Sequence, residues 1–290
     1  MVKFPKIHPT LRSILLTLFS CLTGLAYSSF AHMSQIEAGA KYMPVSEVPL
    51  MPAPAGAPAL DVLFVGSSFT IVNDLPGVFA NVAASDQASP VKVRIGRFVQ
   101  SGSWLFERWD DRQRGGPDPL AGEHWDYVVL QQSPSYYAIP EYMPRAVSGA
   151  NEWIRGVSKI DAKAVLFSPW AYKAGDLYNT GGDLAYLRHY KTPDLMQDAV
   201  DKAVNPIGTK TKALVVPVGD YWMACLNAQN AQGAPDLYMP DGMHPSIAGT
   251  YLTALVFYRR LTGHSLTHVA YVPPGLSRAD AAFILNCASY

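Results

Sequence analysis

The segment "MPDGMHPSIAG" places Asp241 and His244 three residues apart. Pro245 disfavours helical backbone at the residue before it, so His244 belongs to a loop or turn. In a turn, Asp241 can fold back and accept a hydrogen bond from one imidazole nitrogen. The other nitrogen then points outward, where it can act as a general base. Such a base activates a hydroxyl nucleophile. Candidate hydroxyls lie in "DVLFVGSSFT", where Ser67 and Ser68 follow an apolar run that ends at Gly66. Taken alone, each residue has an ordinary structural use. Serine often caps a helix, and aspartate and histidine are common in turns and at surfaces. Ser103, in "SGSWL", is a further hydroxyl whose neighbours suit a helix cap.

These residues are far apart in the chain, so the fold must bring them together. From residue 60 onward, apolar runs alternate with helical patterns. Strands are predicted at 60–66, 91–96, 126–131, 162–168 and 212–218. Helices are predicted at 75–85, 103–112, within 141–158, and at 192–204, 245–263 and 277–289. "LDVLFVG" is apolar throughout, as suits a strand buried on both faces. Strands alternating with helices imply a mostly parallel sheet covered on both sides. Sites in such sheets form beyond the carboxyl ends of the strands. That rule selects Gly66–Thr70, Arg97–Ser103, Gln131–Tyr137, Ser168–Tyr172 and Gly219–Trp222. The paired serines therefore qualify as a site before any chemistry is considered.

Composition narrows the remaining choices. The 290 residues include 23 basic and 23 acidic side chains, so there is no global attraction to nucleic acid. No G-x-x-x-x-G-K-[ST] run supports phosphate-cradling chemistry, and no G-x-S-x-G surrounds Ser68. His264 and His268 follow the helix-ending Gly263 and lack an intervening H-E-x-x-H arrangement, so no metal is expected there. Lys3, Lys6 and Arg12 precede an apolar stretch from Ser13 to Ala31, a pattern expected of a secretory signal. Residues 1–31 are read as that signal, with cleavage after Ala31 or, as second choice, after Ser28. An uncleaved membrane anchor is the alternative. Residues 32–59 are rich in Pro, Ala and Met, and read as a tether or an extended arm lying on the domain. Residues 60–290 form the domain. Cys21 would leave with the signal, and Cys225 and Cys287 would remain either as a disulfide or as two buried thiols.

Together, "VGSSFT", "SGSWL", "DYVVLQQS", "PVGDYW" and "DGMHPSIAGTYLTALVFY" resemble the SGNH (GDSL-type) hydrolase superfamily, and within it a bacterial branch of poorly defined substrate. The resemblance spans roughly residues 60–265. It implies a three-layer α/β/α sandwich with a five-stranded, mostly parallel, flavodoxin-like sheet. It places the nucleophile at Ser68, with Ser67 in the position usually held by aspartate, His244 as base and Asp241 as its partner. The implied oxyanion donors are the backbone N–H groups of Ser68 and Gly102. The family's third donor is an asparagine in a G-x-N-D block, which this chain lacks; Gln132, or Gln131, would supply the amide instead. The implied activity is hydrolysis of a small acyl ester, such as an O-acetyl group on a carbohydrate, with no cofactor. Acyl transfer to a sugar hydroxyl and glycan binding with weak catalysis are the alternatives. Tyr136, Tyr137 and Trp170, in loops beyond the strands, are candidate substrate-wall residues.

Overall fold

The computed structural model describes residues 47–173, 190–228 and 234–290. The predicted signal segment lies outside these residues. Five apolar runs form the strands β1 (Ala59–Gly66), β2 (Lys92–Val99), β3 (Tyr127–Gln131), β4 (Lys163–Ser168) and β5 (Leu214–Pro217). They pair in parallel in the order β2-β1-β3-β4-β5. This is the flavodoxin-like order, whose reversal point lies beside β1. β1 is central, and Val62 to Val65 are fully buried because helices cover both faces of the sheet.

The helices are α1 (Ser68–Ile71), α2 (Leu75–Ser85), α3 (Leu105–Gln113), α4 (Pro134–Ala138), α5 (Met143–Val157), α6 (Pro193–Thr211), α7 (Val218–Ala228), α8 (Ile247–Thr262) and α9 (Arg278–Ala288). Contacts join α2 to α8, and α8 to α7 and α9, as one layer; α3, α5 and α6 form the other. Phe64 of β1 meets Phe79 of α2 and Phe257 of α8 at 6.0 Å each, and Phe257 meets Phe167 of β4 edge-on at 5.0 Å. Edge-to-face packing of this kind adds about 0.5–1.5 kcal/mol per pair beyond area burial.

Four elements depart from the sequence reading, the first being α1, which no predicted helix covers. α6 runs on through Pro206 to Thr211 rather than stopping near 204. Proline there removes one ladder bond, but Val204, Ile207 and Gly208 remain buried and hold the last turns down. α7 was hidden because the strand-like run "LVVP" passes into "VGDYW" with no intervening turn. α4 is a single buried turn opened by Pro134.

The described part of the Pro-rich segment lies along the domain. Met51 N–H donates to Asn81 Oδ1 at 2.7 Å, and Asn81 Nδ2 donates to the Pro49 carbonyl at 3.0 Å. Cys225 of α7 and Cys287 of α9 form a disulfide with a Cα–Cα distance of 5.1 Å, resolving the two alternatives read from sequence. No helix among the described residues is long and apolar enough to cross a membrane.

Candidate active site

β1 ends at Gly66, and the chain turns at once into α1. A Cβ on Gly66 would lie 2.5 Å from Gln131 Oε1 and 2.9 Å from Thr70 Oγ1, so only glycine fits. Gln131, at the end of the neighbouring β3, fills that space with its carbonyl. Its Oε1 accepts from Ser67 N–H at 2.7 Å, Ser67 Oγ at 3.2 Å and Thr70 Oγ1 at 3.1 Å. The glutamine thus fixes the turn that presents Ser68. Ser68 is the first residue of α1, where backbone N–H groups have no intrahelical acceptor.

The late loop meets this turn across the top of the sheet. His244 Nε2 lies 2.9 Å from Ser68 Oγ, and His244 Nδ1 lies 2.6 Å from Asp241 Oδ2. The other oxygen of Asp241 accepts from the backbone N–H groups of Met243 and His244, each at 2.9 Å. Gly242 makes this tight turn possible with a left-handed φ of 68°. Burial works to raise the Asp241 pKa, but the His244 bond and the two backbone donors outweigh it. The carboxyl therefore sits below its usual value and stays ionised. Ser68 and His244 are 0% and 2% exposed, so their interaction is shielded from solvent.

The imidazole is also held by its face. Phe69, next to Ser68, stacks on His244 at 5.0 Å with an interplanar angle of 29°. Trp170 and Tyr172, beyond β4, pack on the same phenyl ring at 5.5 and 6.3 Å. Trp170 Nε1 donates to the Met243 carbonyl at 3.0 Å, and Lys173 N–H donates to the Gly242 carbonyl at 2.8 Å. The histidine loop is therefore carried by the end of β4 as well as by its own turn.

Past β2, Gly102 takes a left-handed φ of 69°, and α3 begins three residues later. Gln132 Oε1 accepts from Leu105 N–H at 3.1 Å, which joins the β3 end to this loop. With each carbonyl oxygen committed to a backbone donor, the Nε2 groups of both Gln131 and Gln132 are buried and have no hydrogen-bond partner among the described residues. A buried unpaired donor is costly and calls for an explanation.

The three aromatic candidates for a substrate wall are all buried. Trp170 is completely buried, stacked on Trp222 at 4.1 Å, and supports the histidine loop. Tyr137 is equally buried, and burial pushes its phenol pKa well above the usual value. Tyr136 is buried with its face covered by Trp104 at 3.5 Å and its edge by Tyr142 at 6.1 Å. Apolar aromatics in loops look alike in sequence whether they line a cleft or fill a gap under the loop. Sequence reasoning also missed the bracing role of Gln131 and the stacking of Phe69. The paired glutamines at the end of a buried strand were the available signal, because buried amides must find partners. Ser103 donates to the Gln100 carbonyl at 2.7 Å within its own turn, a local structural use. Asp220 lies within the first turn of α7, beside Asp201. Burial and the neighbouring Asp220 charge raise Asp201 to about 6.

Among the described residues, Asp61, His124 and Asp126 bring three potential metal-ligand atoms within 4.8 Å of one another. They lie at the opposite end of the sheet from Ser68. Arg94 already pairs with Asp61 at 3.0 Å, and Asp126 accepts the Asp61 N–H at 2.7 Å.

No protein-family model and no curated protein sequence matches the chain. Solved structures do. A DUF4886 family protein from Bacteroides uniformis aligns with a TM-score of 0.64 at 18% identity, covering 80% of this chain and 93% of that one. A candidate SGNH hydrolase from Slackia heliotrinireducens aligns with a TM-score of 0.54 at 24% identity, covering 70% and 99%. A catalytic mutant of an acetylxylan esterase from Geobacillus stearothermophilus aligns with a TM-score of 0.51 at 14% identity, covering 74% and 99%. The sheet order, the site at the carboxyl edge and these alignments together show that the chain carries the SGNH-hydrolase fold.

Proposed function

We propose that this chain is a serine ester hydrolase that removes small acyl groups, with Ser68 as nucleophile, His244 as base and Asp241 as the partner that fixes the imidazole. The observation that carries the reading is the continuous line from Asp241 Oδ2 through His244 to Ser68 Oγ, at 2.6 and 2.9 Å. Asp241 accepts a hydrogen bond from Nδ1–H, which leaves Nε2 as the acceptor facing the hydroxyl.

Ser68 Oγ attacks the ester carbonyl carbon as His244 Nε2 takes its proton. The carbonyl electron pair moves onto oxygen, and the oxyanion meets the N–H groups of Ser68 and Gly102. Gln132 is the favoured third donor. Its amide is tied to the loop carrying Gly102, whereas the carbonyl of Gln131 is engaged under Ser67. An unpaired buried Nε2 is what a preorganised donor looks like before charge develops, and one such donor is worth about 10²–10³ in rate. Collapse of the intermediate breaks the ester C–O bond, and the leaving alkoxide takes the proton from His244. Water then attacks the acyl-enzyme, again with His244 as base, and Ser68 recovers its proton.

The enclosure of Ser68 and His244 favours a short acyl group. The shared fold with an acetylxylan esterase supports O-acetyl groups on a carbohydrate as the substrate class. Secretion is part of the proposal, supported by the Cys225–Cys287 disulfide, since such bonds persist in oxidising compartments.

The test is hydrolysis of p-nitrophenyl acetate by wild type, Ser68→Ala, Ser67→Ala and His244→Ala. Ser68→Ala and His244→Ala are expected to lose activity, while Ser67→Ala only reduces it. Full activity in Ser68→Ala refutes the assignment, and a fluorophosphonate label found on Ser103 redirects it. Wild-type transfer of acetate to added xylo-oligosaccharide in preference to water would assign the chain to acyl transfer.

A further inference from the structure

Asn73 and Asp74 lie between α1 and α2, and both have left-handed backbone, with φ of 55° and 50°. Two successive non-glycine residues in this region are uncommon and cost on the order of 1 kcal/mol or more each. Asp74 is accounted for by the α2 start, since its carboxylate accepts from Gly77 N–H at 3.3 Å and from Arg97 at 2.8 Å. Asn73 has a different use. Its Nδ2 donates to the Pro245 carbonyl at 2.9 Å and to Thr250 Oγ1 at 3.1 Å. Pro245 directly follows His244, and Thr250 lies in the first turn of α8. One amide therefore joins the segment that carries Ser68 to the segment that carries His244, across 172 residues of sequence.

The other hydrogen-bonded supports of the histidine loop come from the end of β4 and from the loop's own turn, while Phe69 holds the imidazole face by stacking alone. They fix the imidazole relative to the sheet. The Asn73 amide links the loop's backbone directly to the nucleophile's own segment. We propose that Asn73 is a positioning residue that holds His244 Nε2 at hydrogen-bond distance from Ser68 Oγ. The proposal rests on the reading of Ser68 and His244 as nucleophile and base.

Asn73→Gly tests this, because glycine adopts the same φ without strain while losing both hydrogen bonds. Loosening a reacting pair by about 1 Å costs about 10²-fold in rate. The expected result with p-nitrophenyl acetate is a kcat about 10–100-fold below wild type, with KM within about threefold. The rate of fluorophosphonate labelling at Ser68 should fall by a similar factor, because it depends on the same pair and on no substrate. Thr250→Val removes one of the two acceptors in a similar volume and should give a smaller loss of kcat; it also serves if Asn73→Gly fails to fold. A kcat and labelling rate within threefold of wild type in folded Asn73→Gly, or in Thr250→Val where it alone folds, overturns the proposal whatever happens to Tm. Ser68→Ala and His244→Ala run beside it separate the two readings. If they keep activity, the nucleophile and base are misassigned; if they are inactive and Asn73→Gly is normal, only the positioning role fails.

Discussion

Replacing Asp241 by asparagine gives the most demanding test of the site. The carboxylate serves two kinds of donor at once. One oxygen accepts from two backbone N–H groups at 2.9 Å, and the other accepts from His244 Nδ1 at 2.6 Å. Asparagine has a single carbonyl oxygen. The two backbone donors cannot be satisfied otherwise, so the oxygen will face them and the amide nitrogen will face Nδ1. Nδ1 must then accept, which moves the ring proton to Nε2. An Nε2–H cannot take a proton from Ser68. The expected loss in kcat is about 10⁴-fold, or about 5.4 kcal/mol, by analogy with the same exchange in a Ser-His-Asp hydrolase. Folding should suffer far less, because the turn keeps its backbone bonds and loses only a charge-assisted one, worth about 1.5–3 kcal/mol. The assay is p-nitrophenyl acetate hydrolysis with thermal melting on the same samples. A kcat within tenfold of wild type in folded Asp241→Asn would mean that the tautomer is set elsewhere and that the chain of bonds is not the catalytic device. The same contact predicts a pH effect. The Asp241 pKa is lowered in the fold, so its stabilisation is present above the unfolded value and is lost as pH falls through the lower folded value. Asp241→Asn should lack that acid-side loss.

Other outcomes follow from different parts of the molecule. Gly66→Ala should cost stability and more than tenfold in kcat, because a Cβ 2.5 Å from Gln131 Oε1 must displace the brace under Ser67; wild-type kcat refutes this. Gln132→Ala should lower kcat by about 10²–10³ with a small change in KM, whereas equal loss in Gln131→Ala and none in Gln132→Ala would reverse the oxyanion assignment. The double change Cys225→Ser and Cys287→Ser opens a cross-link between residues 62 apart, and should cost about 4 kcal/mol in denaturant melts, with hydrolysis retained in the folded fraction. Asp201, raised to about 6, holds its proton in the fold where the unfolded chain has lost it. Wild type should therefore lose stability as pH rises from about 4 to 6, while Asp201→Asn loses less across that window, as Tm against pH will show.

The alternation of apolar strands and amphipathic helices was readable because a parallel sheet buries both faces of its strands. "LDVLFVG" carries that requirement in its composition. The reading failed where one element passes into the next without punctuation, as from Pro217 into α7, and where tertiary burial overrides a local breaker, as at Pro206. At the site, Asp241 and His244 were legible because a short spacing before proline constrains a turn by itself. Gln131 and Asn73 were not, because what each does depends on a partner brought from elsewhere in the fold. The packing of the aromatic residues was hidden for a related reason. Trp170 lies at the expected edge of the sheet, but its direction is set by Trp222 and Met243, which only the folded chain brings near.

Ser68 and His244, which meet at hydrogen-bond distance, stand 176 residues apart in the chain. Ser68 belongs to the first strand-to-helix turn, while His244 follows all five strands. Long-range contacts of this kind form late and slowly in folding. A growing chain therefore carries Ser68 without His244 until all five strands have been made. On the proposed reading, the fold withholds its own chemistry during synthesis: Ser68 meets its base only when the segment after the fifth strand folds back onto the first turn.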